Sequence, residues 1–403
     1  MKIAIVKRRY SLRWGGSERY CVNLARQLKC LGHEVTVIGE TIDADLAGEV
    51  RFIKVKVHRL ASWTKNRSFA IHAAAAARSG NFDVVYGLGR TLGADAIRVT
   101  ESLQRPWMRV RYPQRIHRAL QRLNPRHLTL IDLEHTIFHQ SDVRRIVTQS
   151  CLDRQLLIDD YGVCPTKIQM IQNGVDTSLF RLDVREHNRH VRQQLGISST
   201  TPLLLFASMH FGKKGLSSVL CALAACNVLG LHLLILGKGP IKPFRHQAIR
   251  LGLERRISFL GRVDDIQRYY GAADLAVLPA MYEPFPNVNL ESMACGLPVL
   301  TTSTTGSVDI VEHLQNGYLV HDARATGQIV GCLEHYFSLT SEQREQMRNR
   351  CSDRVKTMTV ARNAEETVRM FADVCEEPSS RSWLPDSRVS GPRRLARHLA
   401  RSC

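Results

Sequence analysis

The stretch AVLPAMYEPFPNVNLESMACGLPVLTT, residues 276–302, constrains this chain more than any other. An apolar run ends near Pro279, a polar loop follows, a helix opens after Pro286, Gly296 stops it, and a second apolar run begins at Val299. Strand, loop, helix and strand in that order make a unit of a parallel sheet. The same alternation runs through two similar halves. The first has KIAIV, a turn ending WGGSE, a periodic helix through Tyr20, Leu24 and Leu28, then HEVTVIG, FIKVKV and FDVVYGLG. The second has PLLLFASM, the turn FGKKG, a helix through Val219, Leu223 and Cys226, then LHLLILG, ISFLG, DLAVLP and PVLTT. Each half therefore reads as a doubly wound, Rossmann-like parallel α/β sheet, and two such domains facing one another make a cleft at the carboxyl ends of their strands. The polar, broken region from Asp176 to Thr201 is the expected linker.

Within the 276–302 stretch, Glu283 falls on the loop and Glu291 about 6 Å along the following helix. Between them, the free N–H groups near Asn287 and Val288 present the positive end of the helix dipole, worth roughly 0.3–1 kcal/mol to an anion. A diphosphate suits that place, with a carboxylate on either side to accept hydrogen bonds from sugar hydroxyls. Gly15-Gly16 opens a helix in the first half and allows backbone N–H groups to approach a phosphate from across the cleft. Lys213 and Lys214, at the equivalent turn of the second half, would point two cations into the same cleft, which suits an anion such as a diphosphate there.

These segments resemble the retaining GT-B glycosyltransferases of family 4, in particular the lipopolysaccharide core glucosyltransferases that extend an inner-core heptose. The resemblance spans about residues 1–375. It is carried by YEPFPNVNLESMACGLPVLTT as the E-x7-E element, with WGGSE, NGVDTSLF, FGKKG, LILGKGP and FLGRVDD in order. It implies a GT-B fold with an acceptor-binding domain over residues 1–170, completed by a helix crossing back near 356–375. A nucleotide-sugar domain would cover 171–355, leaving a basic tail at 376–403. It also implies a UDP-sugar donor, with glucose as the expected hexose, and retention of configuration without a covalent enzyme intermediate. Glu283 would position the sugar, Glu291 the ribose, and Gly261, Arg262 and Val263 the base. Ser208, Pro286, Asn287 and Val288 complete the implied donor set. The family usually places an arginine and a lysine where this chain has Lys213 and Lys214, so the bidentate guanidinium is lost here.

On the acceptor side, the glycine-bounded element at 87–101 offers Arg90, Asp95 and Arg98 to a phosphorylated sugar. Glu18, Asp95 and Glu101 stand as general-base or acceptor-binding candidates, with no choice among them. No D-x-D motif offers oxygen ligands near the site, and the adjacent Asp264-Asp265 and the Asp43/Asp45 loop lack a phosphate-facing context, so transfer without a metal or other cofactor is expected. Eleven scattered cysteines without C-x-x-C pairs suggest neither zinc nor a disulfide framework.

Lys and Arg number 56 against 37 Asp and Glu, a formal charge of +19. From Gln104 to His127 there is no acid, and Arg111, Arg115, Arg118 and Arg122 recur at helical spacing beside Ile116, Leu120 and Leu123. A basic amphipathic helix bounded by Pro113 and Pro125 is expected, with a second basic stretch of Arg393, Arg394 and Arg397 near the end. Both suit an anionic membrane surface and a lipid-linked acceptor such as lipopolysaccharide. No apolar run reaches a membrane-spanning length and the first strand starts at Ile3, so a cytoplasmic protein held peripherally on the inner face of the membrane is expected. Three other readings stay open: a family 4 transferase acting on another cell-envelope glycolipid or polysaccharide, a UDP-sugar epimerase of GT-B fold, and a basic nucleic-acid-binding protein. Aromatic residues make up only 6% of the chain and no stacking surface or zinc-finger spacing accompanies the charge, so nucleic acid is not the expected partner.

Overall fold

The computed structural model describes residues 1–377, apart from the side chains of 186–189. Two parallel sheets organise it. The first contains β1 (Lys2–Val6), β2 (Glu34–Gly39), β3 (Arg51–Lys54), β4 (Val84–Leu88), β5 (Ala96–Arg98), β6 (Arg145–Thr148) and β7 (Ile168–Met170), in the order β3-β2-β1-β4-β5-β6-β7. The second contains β8 (Leu203–Ser208), β9 (His232–Gly237), β10 (Ile257–Gly261), β11 (Leu275–Leu278), β12 (Val299–Thr302) and β13 (Gly317–Val320), in the order β10-β9-β8-β11-β12-β13. Both are doubly wound, with the order reversing beside the first strand of each half, and both belong to a GT-B architecture. Ligands of such sheets bind at that switch point, outside the carboxyl ends of the strands.

The central strands are buried on both faces, which is why they read as continuous apolar runs such as LLLFAS and HLLILG. The final helix, Val360–Glu376, returns to the first sheet. Its Met370, Phe371 and Val374 share a core with Leu24 and Leu28 of the Gly16–Cys30 helix and with Val84 and Tyr86 of β4.

The segment 176–201 is not the open linker its polarity suggests. Phe180 and Val184 are buried against Tyr270 in the second domain's core, and Leu182–His187 and Asn188–Gln194 are helical. Buried Arg192 donates to the Ala272 carbonyl at 2.9 Å and to Asp274 at 3.0 Å. Arg192 thus ties a docked helical segment to the second domain, while Thr177, Ser178, Gln193 and Gln194 stay exposed and give the segment its linker-like polarity. The crossing is shorter, and Val175 there pairs by backbone with Met358 and Val360.

The basic region also differs from one continuous helix. Pro113 separates Gln104–Arg111 from Arg115–Gln121, and Pro125 is the first residue of the next helix, Pro125–His139. Arg111 therefore lies on the preceding helix and Arg122 caps the short one. Arg393, Arg394 and Arg397 lie outside the described residues. Among the described residues, no helix is long and apolar enough to cross a membrane.

Candidate active site

The loop after β11 is held on three sides. Thr302 donates to the Ala280 carbonyl at 2.6 Å, Gly306 N–H donates to the Glu283 carbonyl at 3.0 Å, and Met281 N–H donates to the Lys213 carbonyl at 3.0 Å. That last bond joins the FGKKG turn to the glutamate loop. The approach needs Gly215, whose φ is +83° and where a Cβ would stand 2.1 Å from the Pro279 carbonyl oxygen. Close packing of these two turns is what gathers the charges.

Glu283 Oε2 lies 2.9 Å from Lys214 Nζ and 3.5 Å from Lys213 Nζ. Burial works against ionisation of Glu283, yet Lys214 and then Lys213 hold its carboxyl down at about 2. Burial lowers the Lys214 ammonium, and attraction to Glu283 offsets part of that. The Glu283 side chain keeps 23% of its surface accessible, so the group is ionised, anchored and reachable. Lys213 also donates to Ser102 Oγ and lies 4.9 Å from the centre of the Trp107 ring, both on the first domain.

The glutamate loop itself rests on the first domain. Tyr282 donates to Asp153 Oδ1 at 2.9 Å, Ser150 Oγ donates to the Pro284 carbonyl at 3.0 Å, and Cys151 N–H donates to Asp309 at 2.8 Å. None of Ser150, Asp153 and Tyr282 was singled out by the sequence. Only Tyr282, beside Glu283, carried a local signal.

The helix Asn287–Ala294 opens at Pro286, and its first N–H groups have no intrahelical acceptor. Gly16 faces it across the cleft, where a Cβ would stand 3.1 Å from Asn287 Nδ2. Glu291 is buried beneath. Tyr270 donates to it at 3.0 Å, and Arg19 reaches it from the first domain at 3.3 Å. Glu291, Asn287, Arg19, Asn23, Arg262 and Val263 line a cavity of about 300 Å³ between the domains. Arg262 donates across the cleft to the Arg13 carbonyl at 3.1 Å, and Gly261 before it has a φ of +71°. Ser208 ends β8, its hydroxyl accepting from His210 N–H at 2.9 Å. Asp264 and Asp265 pair with Arg262 and Arg268.

The acceptor candidates divide. Arg90 follows β4 at its carboxyl end and is locked between Glu134, at 2.6 Å, and Glu101. Arg90, Lys7, Arg8 and Lys213 all favour the Glu101 anion against its burial. Glu18 accepts from Ser17 at 2.9 Å, and Ser17 in turn accepts from Lys7 at 3.0 Å. Asp95 and Arg98 are corrections. Asp95 precedes β5 and so lies at the amino edge of the sheet, away from the cleft, where it pairs with Arg144 at 2.7 Å and accepts from Val85 N–H at 2.8 Å. Arg98 is fully buried, donates to the Ile171 carbonyl and Asn173, and stacks on Tyr20. Its link to the site is indirect, because Asn173 donates to Asn287.

Two family models divide the chain between them: "Glycosyltransferase Family 4" matches residues 14–179 and "Glycosyl transferases group 1" matches 188–354. The chain belongs to the family 4 glycosyltransferases. This transferase is 26% identical over 341 residues to an uncharacterised glycosyltransferase, MJ1607, of Methanocaldococcus jannaschii, covering 80% of this chain and 85% of that one. It is 24% identical to the lipopolysaccharide glucosyltransferase WaaG of Escherichia coli, covering 78% and 84%. The crystal structure of WaaG superposes with a TM-score of 0.79 at 22% identity, covering 92% of this transferase and 99% of that chain. Anabaena HepE, solved with UDP and glucose, superposes at 0.72 with 18% identity, covering 92% and 99%.

Proposed function

We propose that this transferase moves a hexose, glucose in the first instance, from a UDP-sugar to a lipid-linked sugar acceptor of the lipopolysaccharide core type, with retention of anomeric configuration. The observation that carries the reading is the meeting of Glu283, Lys213 and Lys214 beside the N-terminus of the Asn287–Ala294 helix, opposite Gly16. WaaG as a relative and HepE with UDP and glucose support the choice of donor and acceptor class.

In this reading the diphosphate lies between the Gly15-Gly16 turn and the first turn of the Asn287–Ala294 helix. Lys213 and Lys214 neutralise the charge that grows on the leaving UDP, the task a metal performs elsewhere, so transfer proceeds without one. Glu283, ionised throughout the neutral range, accepts hydrogen bonds from the donor sugar and orients it. Glu291 accepts from the ribose hydroxyls, exchanging them for Arg19. The acceptor hydroxyl attacks the face from which UDP departs, and its proton passes to the departing phosphate oxygen.

The protein would work at the inner face of the cytoplasmic membrane. Ile116, Leu120 and Leu123 are 80%, 62% and 74% exposed and stand among Arg115, Arg118 and Arg122, an apolar stripe with a basic rim that suits an anionic bilayer. The test is release of nucleoside diphosphate from UDP-, GDP- and ADP-sugars with truncated lipopolysaccharide, for wild type and Glu283→Ala. Acceptor-dependent release from one UDP-sugar, lost in the variant, is expected. Release that needs no acceptor and survives the substitution would overturn the assignment.

A further inference from the structure

We propose that Arg8, Arg9, Arg59 and Lys65 form a binding site for a phosphate group carried by the acceptor glycan. The word acceptor rests on the transferase reading above; the anion site itself rests on the following arrangement. Arg8 and Arg9 follow β1, Glu40 follows β2, and Arg59 lies on the segment after β3. Lys65 lies in the first turn of the Ser62–Ser79 helix. The strands β3, β2 and β1 are neighbours, so these residues converge on one carboxyl edge, the edge that faces the cleft.

Their charges do not balance. Buried Glu40 accepts from Arg59 Nε at 2.9 Å and stands 3.8 Å from Arg8 Nε. Arg8 also reaches Asn66 at 3.5 Å. Arg9 and Lys65 form no ion pair among the described residues, and Arg9 lies over the Trp14 ring at 4.0 Å. Both are half-buried. Burial, and then repulsion from Arg8, disfavours the charged form of each. Glu40 is the carboxylate that pairs directly with the cluster, while Glu18 and Glu101 act on Arg9 and Arg8 through space, without an ion pair to either among the described residues. Gathering half-buried like charges with so little direct pairing opposes folding, and a bound dianion reverses that balance. Guanidinium forks match the oxygens of a phosphate in pairs, which makes a phosphomonoester a better fit than a carboxylate.

The cluster adjoins the transfer centre without being part of it. Glu101 lies within the electrostatic reach of both Arg8 and Lys213, and Lys213 pairs with Glu283. A phosphate on the acceptor would therefore be fixed to one side of the reacting sugar, setting which hydroxyl reaches the donor. The donor diphosphate has its own partners in the Gly15-Gly16 turn, the two lysines and the Asn287–Ala294 helix.

Calorimetric titration of the full chain, saturated with UDP, with glucose 6-phosphate and with glucose tests this. Wild type should bind the phosphorylated sugar and discriminate against glucose. Arg9→Gln/Lys65→Gln should weaken glucose 6-phosphate by about tenfold or more while leaving UDP affinity unchanged. Lys65→Gln alone should weaken it less, and Arg9→Lys, which keeps the charge and loses the fork, should fall between wild type and the double variant, which guards against loss of folding at the Trp14 contact. Equal affinity in wild type and double variant would overturn the proposal, as would the absence of binding to wild type. A parallel loss of UDP affinity would overturn it by giving the cluster to the donor diphosphate. Loss of binding to phosphatidylglycerol vesicles with glucose 6-phosphate unaffected would overturn it in favour of a lipid headgroup. Failure of the transferase reading would register separately, as wild type that neither binds UDP nor releases it from a UDP-sugar.

Discussion

Asp153 couples the glutamate loop to pH. Its side chain has no exposed surface, Oδ1 accepts from Tyr282 at 2.9 Å, and Oδ2 has no hydrogen-bond partner among the described residues. Burial is the main cause that pushes its carboxyl up from 3.8 to about 7; the Tyr282 hydrogen bond opposes the rise, Glu283 and Asp309 add to it, and Lys213 opposes it. The folded chain thus holds a proton that the unfolded chain releases near 3.8. Stability is highest below that value and falls as pH rises, until the folded group has ionised at about 7. At about 1.4 kcal/mol per pH unit, the interval from pH 5 to 7 is worth roughly 3 kcal/mol. Asp153→Asn keeps an acceptor for Tyr282 and removes the ionisation. Wild type and variant should melt close together at pH 5, and at pH 8 the variant should melt higher by roughly 3 °C for a chain of this size. Melting curves of both proteins from pH 5 to 8 measure the difference directly, since other titrating groups cancel between them. A constant separation across that range would refute the assignment of a retained proton to Asp153.

Lys214→Ala should lower kcat by about a hundredfold or more with a small change in donor KM if, as proposed, its charge acts on the departing diphosphate; steady-state kinetics check the split. Glu291→Gln should instead raise donor KM by about tenfold, read in the same assay, since the ribose contact proposed for Glu291 would be made alike in ground and transition states. Substituting Arg115, Arg118 and Arg122 together with Gln should release the protein from anionic vesicles in a sedimentation assay, while turnover with a water-soluble acceptor stays unchanged. Turnover should survive dialysis against EDTA, and a loss restored by Mg²⁺ or Mn²⁺ would return the leaving-group role to a cation.

The glutamate stretch was legible because its punctuation is local. Pro286 and Gly296 bound the helix within ten residues, and the two apolar runs beside it leave a parallel sheet as the natural arrangement. The doubled α/β pattern was legible for the same reason. Asp95 and Arg98 were misread because β5 is only three residues long, too short for its apolar pattern to separate strand from loop. Without that strand, nothing in the sequence says that Asp95 lies at its amino edge, and a charge facing away from the cleft looks the same as one facing into it. Residues 176–201 misled for a related reason: buried Arg192 satisfies backbone carbonyls among neighbours that are solvated, and composition does not distinguish the two.

Contacts between the two halves were the least legible part, since they join residues far apart in sequence. Asp153 meets Tyr282, Arg19 meets Glu291, and Lys213 meets Ser102, each across more than a hundred positions. These same contacts decide how the site works. Glu283 lies on a loop whose geometry is set from the second domain by Thr302 and Gly306 and from the first by Ser150 and Asp153. A change in the angle between domains therefore shifts the Glu283 carboxylate directly, whereas Lys214 follows through the Met281–Lys213 backbone bond. Glu283 and its lysines move as one body on that account, so donor positioning and leaving-group stabilisation should be lost together when the domain contact at Asp153 and Tyr282 is broken.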